Sequence, residues 1–296
     1  MYKRQPYGIW YTIGASDSHP LATIEGIYLE YRELGNTGEM VPEIGLGTWK
    51  YRGGPEPLQK GIDLGANLID TAEMYKTEDA VGAAIKGRRS EVFLATKVLG
   101  SNLRHDAVMR AAETSLHLLD EDVLDLYQIH WSNPSIPISE TMGAMEELVD
   151  RGMVRYIGVS NFSMIEMQEA QQAMTKYPIV SNQVLYNLKR RDIERELIPY
   201  CVDNHITIIA YTPLADGSLS GNSRYRPDKG DSVLNQVAQE TDKTAAQVAL
   251  NWCLSRPNVI VIPKSDSINR TIENCEASGW SLSPQQVTAL DEAYPA

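Results

Sequence analysis

Residues 65–75 read Gly65-Ala66-Asn67-Leu68-Ile69-Asp70-Thr71-Ala72-Glu73-Met74-Tyr75. A short apolar run, 66–69, stops on a carboxylate, and a phenol follows five residues later. Outward from this stretch the pattern recurs. The runs 92–95, 124–129, 154–159, 179–180, 206–210 and 259–262 each precede a polar side chain: Lys97, His130, Asn161, Gln183, Tyr211 and Lys264. Short apolar runs bounded by polar residues read as buried strands. One polar residue per strand–helix unit, always at the strand's end, is what a barrel of parallel strands needs to assemble a single site at its C-terminal mouth.

Between these runs lie segments with three- and four-residue apolar spacing, predicting helices at 58–65, 78–86, 106–119, 138–151, 163–176 and 192–204. Residues 231–255 read as two helices broken near 241–243, and 268–277 and 284–293 close the chain. Segments 31–34 and 40–42 flank Gly35-Asn36-Thr37-Gly38, a hairpin turn, ahead of a first barrel strand at 43–47. The fold class is α/β: a (β/α)8 TIM barrel with an N-terminal β-hairpin capping the bottom and extra C-terminal helices. A doubly wound sheet is the alternative, but Gly45-Leu46-Gly47 runs on into Thr48-Trp49-Lys50 and forms no GxGxxG turn.

Residues 31–296 form one domain in this reading. Residues 1–30 show neither period and are set outside the fold, as upstream sequence translated from a misplaced start rather than a secretion signal. With 27 basic and 39 acidic residues the net charge is −12, which argues against nucleic-acid and anionic-membrane partners. Three cysteines, Cys201, Cys253 and Cys275, suggest no disulfide framework, and no apolar run reaches membrane-spanning length. A cytoplasmic protein, monomeric or weakly oligomeric, is expected.

Asp70, Tyr75, Lys97 and His130 gather at the ends of successive strands. Singly, each has a bland explanation: a helix cap, a rim aromatic, a solvated lysine, a packed histidine. Together they suit proton delivery to a substrate oxygen. A phenol titrates near pH 10, and an adjacent ammonium lowers that value. A carboxylate beyond the lysine keeps it charged, and a neutral imidazole can orient a carbonyl. A second group, Lys264 and Ser265 at a strand end with Arg270, Glu273 and Asn274 on the next helix, suits a phosphate and a purine. The glycine-containing loop after Tyr211, with Gly217 and Gly221 as hinges, is a candidate lid.

Three segments in order resemble the aldo-keto reductase family: 65–82, the stretch 153–162 ending Ile157-Gly158-Val159-Ser160-Asn161-Phe162, and Ile262-Pro263-Lys264-Ser265 with Arg270, Glu273 and Asn274. The resemblance implies NADP(H) lying across the barrel mouth and reduction of small or sugar-like aldehydes and ketones. Tyr75 would be the general acid, tuned by Lys97 and Asp70, with His130 orienting the carbonyl. Ser160, Asn161 and Gln183 would hold the carboxamide, and Tyr211 would stack on the nicotinamide. Leu214, Asp216 and Ser218 would line the pyrophosphate through their backbone. Lys264, Ser265 and Arg270 would take the 2′-phosphate, with Glu273 and Asn274 near the adenine. Trp49 and Trp131 would wall the substrate pocket. No metal is implied.

Asp266 departs from the family pattern, since a carboxylate after Lys264-Ser265 weakens the pull on a 2′-phosphate; NADP remains expected over NAD by a reduced margin. The chain ends soon after residues 284–293, which implies an open, weakly selective pocket. His130, rather than a glutamate, favours carbonyl over carbon–carbon double-bond reduction. Two alternatives stand: a cofactor-binding interaction subunit resembling potassium-channel β-subunits, and an NADP-linked sugar or alcohol dehydrogenase working oxidatively.

Overall fold

The structure, a computed structural model, describes residues 29–221 and 229–296. It opens on the hairpin: β1 (Tyr31–Glu33) pairs antiparallel with β2 (Met40–Pro42), Tyr31 opposite Pro42. Gly35 and Gly38 in the turn adopt φ of 60° and 75°, a region that glycine enters without a Cβ clash. Leu34 and Val41 are fully buried and pack with Leu68, Leu126, Ile209 and Ile260, so the hairpin plugs the barrel's lower end.

Strands and helices then alternate: β3 (Leu46–Gly47), α1 (Glu56–Asp63), β4 (Leu68–Asp70), α2 (Glu78–Ile85), β5 (Phe93–Val98), α3 (His105–Leu119), β6 (Leu124–Ile129), α4 (Ile138–Asp150), β7 (Val154–Ser160), α5 (Met164–Ala173), β8 (Ile179–Leu185), α6 (Leu197–Asp203) and β9 (Thr207–Tyr211). Two helices, α7 (Lys229–Thr241) and α8 (Ala245–Leu254), precede β10 (Val259–Val261), and α9 (Ile268–Cys275) and α10 (Pro284–Ala293) follow it. Strands β3 to β10 lie side by side in chain order, all parallel. Bridges from Ile44 to Val261 and from Gly47 to Lys264 join the two edges. The sheet closes on itself as the expected (β/α)8 barrel.

Local chemistry sets the element ends. Ser163 with Glu166, Thr244 with Gln247 and Ser283 with Gln286 form capping boxes that start α5, α8 and α10. Asp242, at φ 53°, breaks α7 from α8 within the expected interval. Four expected boundaries shift. Helix α6 begins at Leu197 rather than 192, because Pro199 has no N–H to donate and fits only a first turn. The first barrel strand is assigned only over Leu46–Gly47. Strands β5 and β8 run further than the apolar runs do, so Lys97 and Gln183 lie within strands, pointing into the barrel.

Leu29 is buried and the Glu30 N–H donates to Ser278 Oγ at 2.9 Å, so these two residues, assigned by sequence to the extension, pack on the barrel. The rest of the extension, residues 1–28, and residues 222–228 of the candidate lid lie outside the described residues. Among the described residues, no helix is long and apolar enough to cross a membrane, and no cluster of His, Cys, Asp and Glu is arranged to hold a metal.

Candidate active site

Side chains of one parity on adjacent strands enter a barrel in layers. Above the apolar layer that meets the hairpin, Lys97 pairs with Gln128, Gln128 with Gly158, and Ser160 with Gln183. Asp70, Lys97, Gln128 and Gln183 are each at most 2% exposed. They are almost closed off from water, so most of their polar atoms must satisfy one another.

They do. Lys97 Nζ donates to Asp70 Oδ2 at 2.7 Å, to the Thr71 carbonyl at 2.8 Å and to the Tyr75 hydroxyl at 3.4 Å. The other Asp70 oxygen accepts from Gln183 Nε2 at 2.7 Å and from Gln128 Nε2 at 3.3 Å. Gly158 makes room for this network. A Cβ there would meet Ser181 Oγ at 2.5 Å and Gln128 Cγ at 3.0 Å.

Tyr75 closes a one-turn helix, Glu73–Tyr75, after which Lys76 turns the chain at φ 54°. The Glu73 carboxylate fixes that turn by accepting the Leu99 N–H at 2.8 Å and Asn102 Nδ2 at 2.6 Å. Buried hydroxyls fix it from below. Thr48 Oγ1 donates to the Asp70 carbonyl at 2.9 Å and lies 3.1 Å from Thr77 Oγ1, which lies 2.9 Å from Thr71 Oγ1. The Tyr75 ring stands edge-on to His130 at 5.4 Å and 4.9 Å from Trp49, and His130 stacks on Trp131 at 3.8 Å. Both tryptophans are exposed at the rim.

The electrostatics follow from burial and one cation. Burial first, then the Lys97 charge, push the His130 pKa down to about 3, so the imidazole is neutral at neutral pH. Its Nδ1 is buried with no hydrogen-bond partner among the described residues. Burial alone would lower Lys97, but Asp70 and then Tyr75 outweigh it and hold the ammonium above the usual lysine range. Tyr75 corrects a sequence expectation. Lys97 does pull its pKa down, but burial is the larger effect and Asp70 adds to it, leaving the phenol above its ordinary value. The hydroxyl keeps its proton throughout the neutral range.

A second wall of the mouth holds amides and one ring. Ser160 Oγ donates to the Gln183 carbonyl at 2.9 Å, and Asn161 Nδ2 donates to the His130 carbonyl at 3.0 Å. The Tyr211 hydroxyl donates to Asn161 Oδ1 at 2.9 Å. Beyond Tyr211, Ala215 and Asp216 adopt left-handed φ of 48° and 55°. The Gly217 and Ser218 N–H groups bond the carbonyls of Leu214 and Ala215.

Across the mouth, Lys264 forms an ion pair with Asp266, and Ser265 Oγ bonds within its own turn, to the Ser267 carbonyl at 2.8 Å. Arg270 is exposed on α9, whereas Asn274 is buried and Glu273 half-buried. Sequence reasoning missed Gln128, Glu73 and the three threonines. Gln128 shares a strand face with His130, two positions on, but Asp125 in the same run is as polar, so polarity alone does not single it out.

Comparison with known proteins agrees with this arrangement. Residues 43–295 match the Aldo/keto reductase family. The chain is 39% identical over 267 residues to Methylglyoxal reductase YeaE of Escherichia coli (strain K12), over 86% of this chain and 92% of that protein. It is 35% identical over 262 residues to Glyoxal reductase of Bacillus subtilis (strain 168), over 86% of this chain and 90% of that one. The crystal structure of an aldo-keto reductase from Klebsiella pneumoniae in complex with NADPH superposes with a TM-score of 0.82 at 36% identity, covering 91% of this chain and 96% of that one. An eight-stranded parallel barrel with Asp70, Tyr75, Lys97 and His130 at its mouth, and relatives matched over nearly their whole length, lead to one conclusion: the chain belongs to the aldo/keto reductase family.

Proposed function

We propose that the chain reduces small aldehydes and ketones to alcohols with NADPH, and that 2-oxoaldehydes such as methylglyoxal and glyoxal are among its substrates. The observation that carries this reading is the Tyr75 hydroxyl, 3.4 Å from the buried Lys97 ammonium at the barrel mouth. The relatives named for methylglyoxal and glyoxal support the substrate class.

The side chains present fit a nicotinamide dinucleotide by their chemistry. Ser160, Asn161 and Gln183 offer hydroxyl and amide groups to a carboxamide, beside the flat face of Tyr211. The backbone of Leu214, Asp216 and Ser218 is proposed for the pyrophosphate. Lys264, Ser265 and Arg270 are proposed for the 2′-phosphate, with Glu273 and Asn274 for the adenine. When bound, the cofactor supplies a hydride to the carbonyl carbon.

The remaining work falls to the chain. As negative charge grows on the substrate oxygen, Tyr75 hands it the hydroxyl proton. The phenolate left behind faces Lys97, an attraction that strengthens only as the proton departs and therefore lowers the barrier. Asp70, fixed by Gln183 and Gln128, keeps that ammonium charged and in place. Neutral His130 orients the carbonyl by hydrogen bonding, which an imidazole can do without competing as an acid. Trp49 and Trp131 form the apolar rim.

Steady-state NADPH oxidation with methylglyoxal, glyoxal, aldoses and aromatic aldehydes, repeated with NADH, tests the proposal. Many turnovers, fastest with the 2-oxoaldehydes and with NADPH, are expected. Absence of turnover with every carbonyl, while the cofactor still quenches tryptophan fluorescence, would overturn it.

A further inference from the structure

Asp266 lies two residues after Lys264, in the turn from β10 to α9, and its carboxylate is engaged on both oxygens. One forms the ion pair with Lys264 Nζ. The other accepts the Arg52 backbone N–H at 2.8 Å. Arg52 belongs to the loop between β3 and α1, and that loop is tightly seated. The Tyr51 hydroxyl donates to the Gly54 carbonyl at 2.5 Å, and a Cβ on Gly53 would come within 2.9 Å of the Asp266 Cα. The carboxylate therefore has a second partner besides Lys264, a hydrogen bond that opposes its swinging clear when another anion approaches the same ammonium.

We propose that Asp266 is a specificity-determining residue: a tethered carboxylate that competes with a 2′-phosphate for Lys264 and narrows the preference for phosphorylated over unphosphorylated dinucleotide. This rests on the reading under Proposed function that the 2′-phosphate lies at Lys264. Two anions at one ammonium repel, and the pair is open enough to water that the repulsion is moderate and falls with salt. A dinucleotide without the phosphate leaves the Lys264–Asp266 pair intact and meets no such repulsion. The Arg52 tether makes the effect a property of charge rather than of side-chain position.

Binding of NADP+ and NAD+ to the free protein, followed by tryptophan fluorescence without turnover, tests it. Asp266→Asn keeps an oxygen for the Arg52 N–H and removes the charge. Its NADP+ affinity should rise about tenfold at low salt while NAD+ affinity stays within twofold, and the gain should shrink in 0.5 M salt, where screening acts over roughly 4 Å. Lys264→Ala serves as the reference, expected to lose NADP+ affinity and to spare NAD+. If Lys264→Ala behaves so but Asp266→Asn leaves the NADP+/NAD+ ratio unchanged, or shifts both ligands equally, this inference is overturned and the reading under Proposed function stands. If Lys264→Ala does not discriminate between the two dinucleotides, the placement of the phosphate fails and this inference fails with it.

Discussion

Lys97 Nζ sits 2.7 Å from Asp70 Oδ2, with the lysine side chain fully buried and the aspartate 2% exposed. A buried ion pair is a poor way to gain stability, because desolvating two charges offsets most of their attraction. Removing one partner is worse than never having had the pair. Asp70 retains two amide donors, Gln183 and Gln128, which soften the loss of the lysine. Lys97→Met should therefore destabilise the fold by about 3 kcal/mol, the low end for a broken buried pair. Urea unfolding checks this, and Lys97→Met with Asp70→Asn should recover part of the loss. A single variant as stable as the parent would refute the cost assigned to breaking the pair.

The pH dependence of stability carries a signature of His130. Its folded pKa, about 3, is depressed from the ordinary 6.5, so the unfolded chain binds an extra proton between those values. The stabilisation is complete above pH 6.5 and is lost as pH falls toward 3. The slope from this residue approaches about 1.4 kcal/mol per pH unit inside that window. His130→Asn should flatten the acid side of a urea-derived stability curve between pH 6 and pH 4. An unchanged slope would show that the imidazole titrates normally when buried.

Gly158 is the hinge between a sequence motif and the network beneath it. A methyl group there would press on Ser181 Oγ, Gln128 Cγ and Leu126 Cδ1 at 2.5, 3.0 and 3.1 Å. Gly158→Ala should destabilise by about 1–3 kcal/mol, the usual range for an overpacked core. It should also lower the turnover number more than it raises KM, because the displaced Gln128 helps to hold Asp70. Equal stability of the two proteins by chemical unfolding would refute the packing argument.

How far the sequence carried depended on what each residue must do. Strand ends were legible because apolar runs there stop on residues whose polarity packing does not explain, as at Asp70, His130 and Lys264. The barrel's closure followed from the alternation of elements, and the structure joins Gly47 to Lys264. Gln128 stayed hidden because its partners, Asp70 and Gln183, lie 58 and 55 residues away. No local pattern reports such a contact. The rise in the Tyr75 pKa was hidden for a related reason: a neighbouring lysine can be read from the chain, whereas depth of burial emerges only from the packed fold. Apolar periodicity extends helix α6 upstream to 192, whereas Pro199, which has no N–H to donate within a helix, lets it start only at Leu197.

The most direct measurement is the turnover of Tyr75→Phe with methylglyoxal and NADPH, made alongside NADP+ binding to the same protein. Phenylalanine preserves the ring against Trp49 and His130 and removes the hydroxyl, with its transferable proton and its contact to Lys97. Turnover should fall by about 100- to 10,000-fold while NADP+ affinity stays within about twofold. A variant that keeps more than about a tenth of the parent's turnover, with normal cofactor binding, would contradict Tyr75 as the acid.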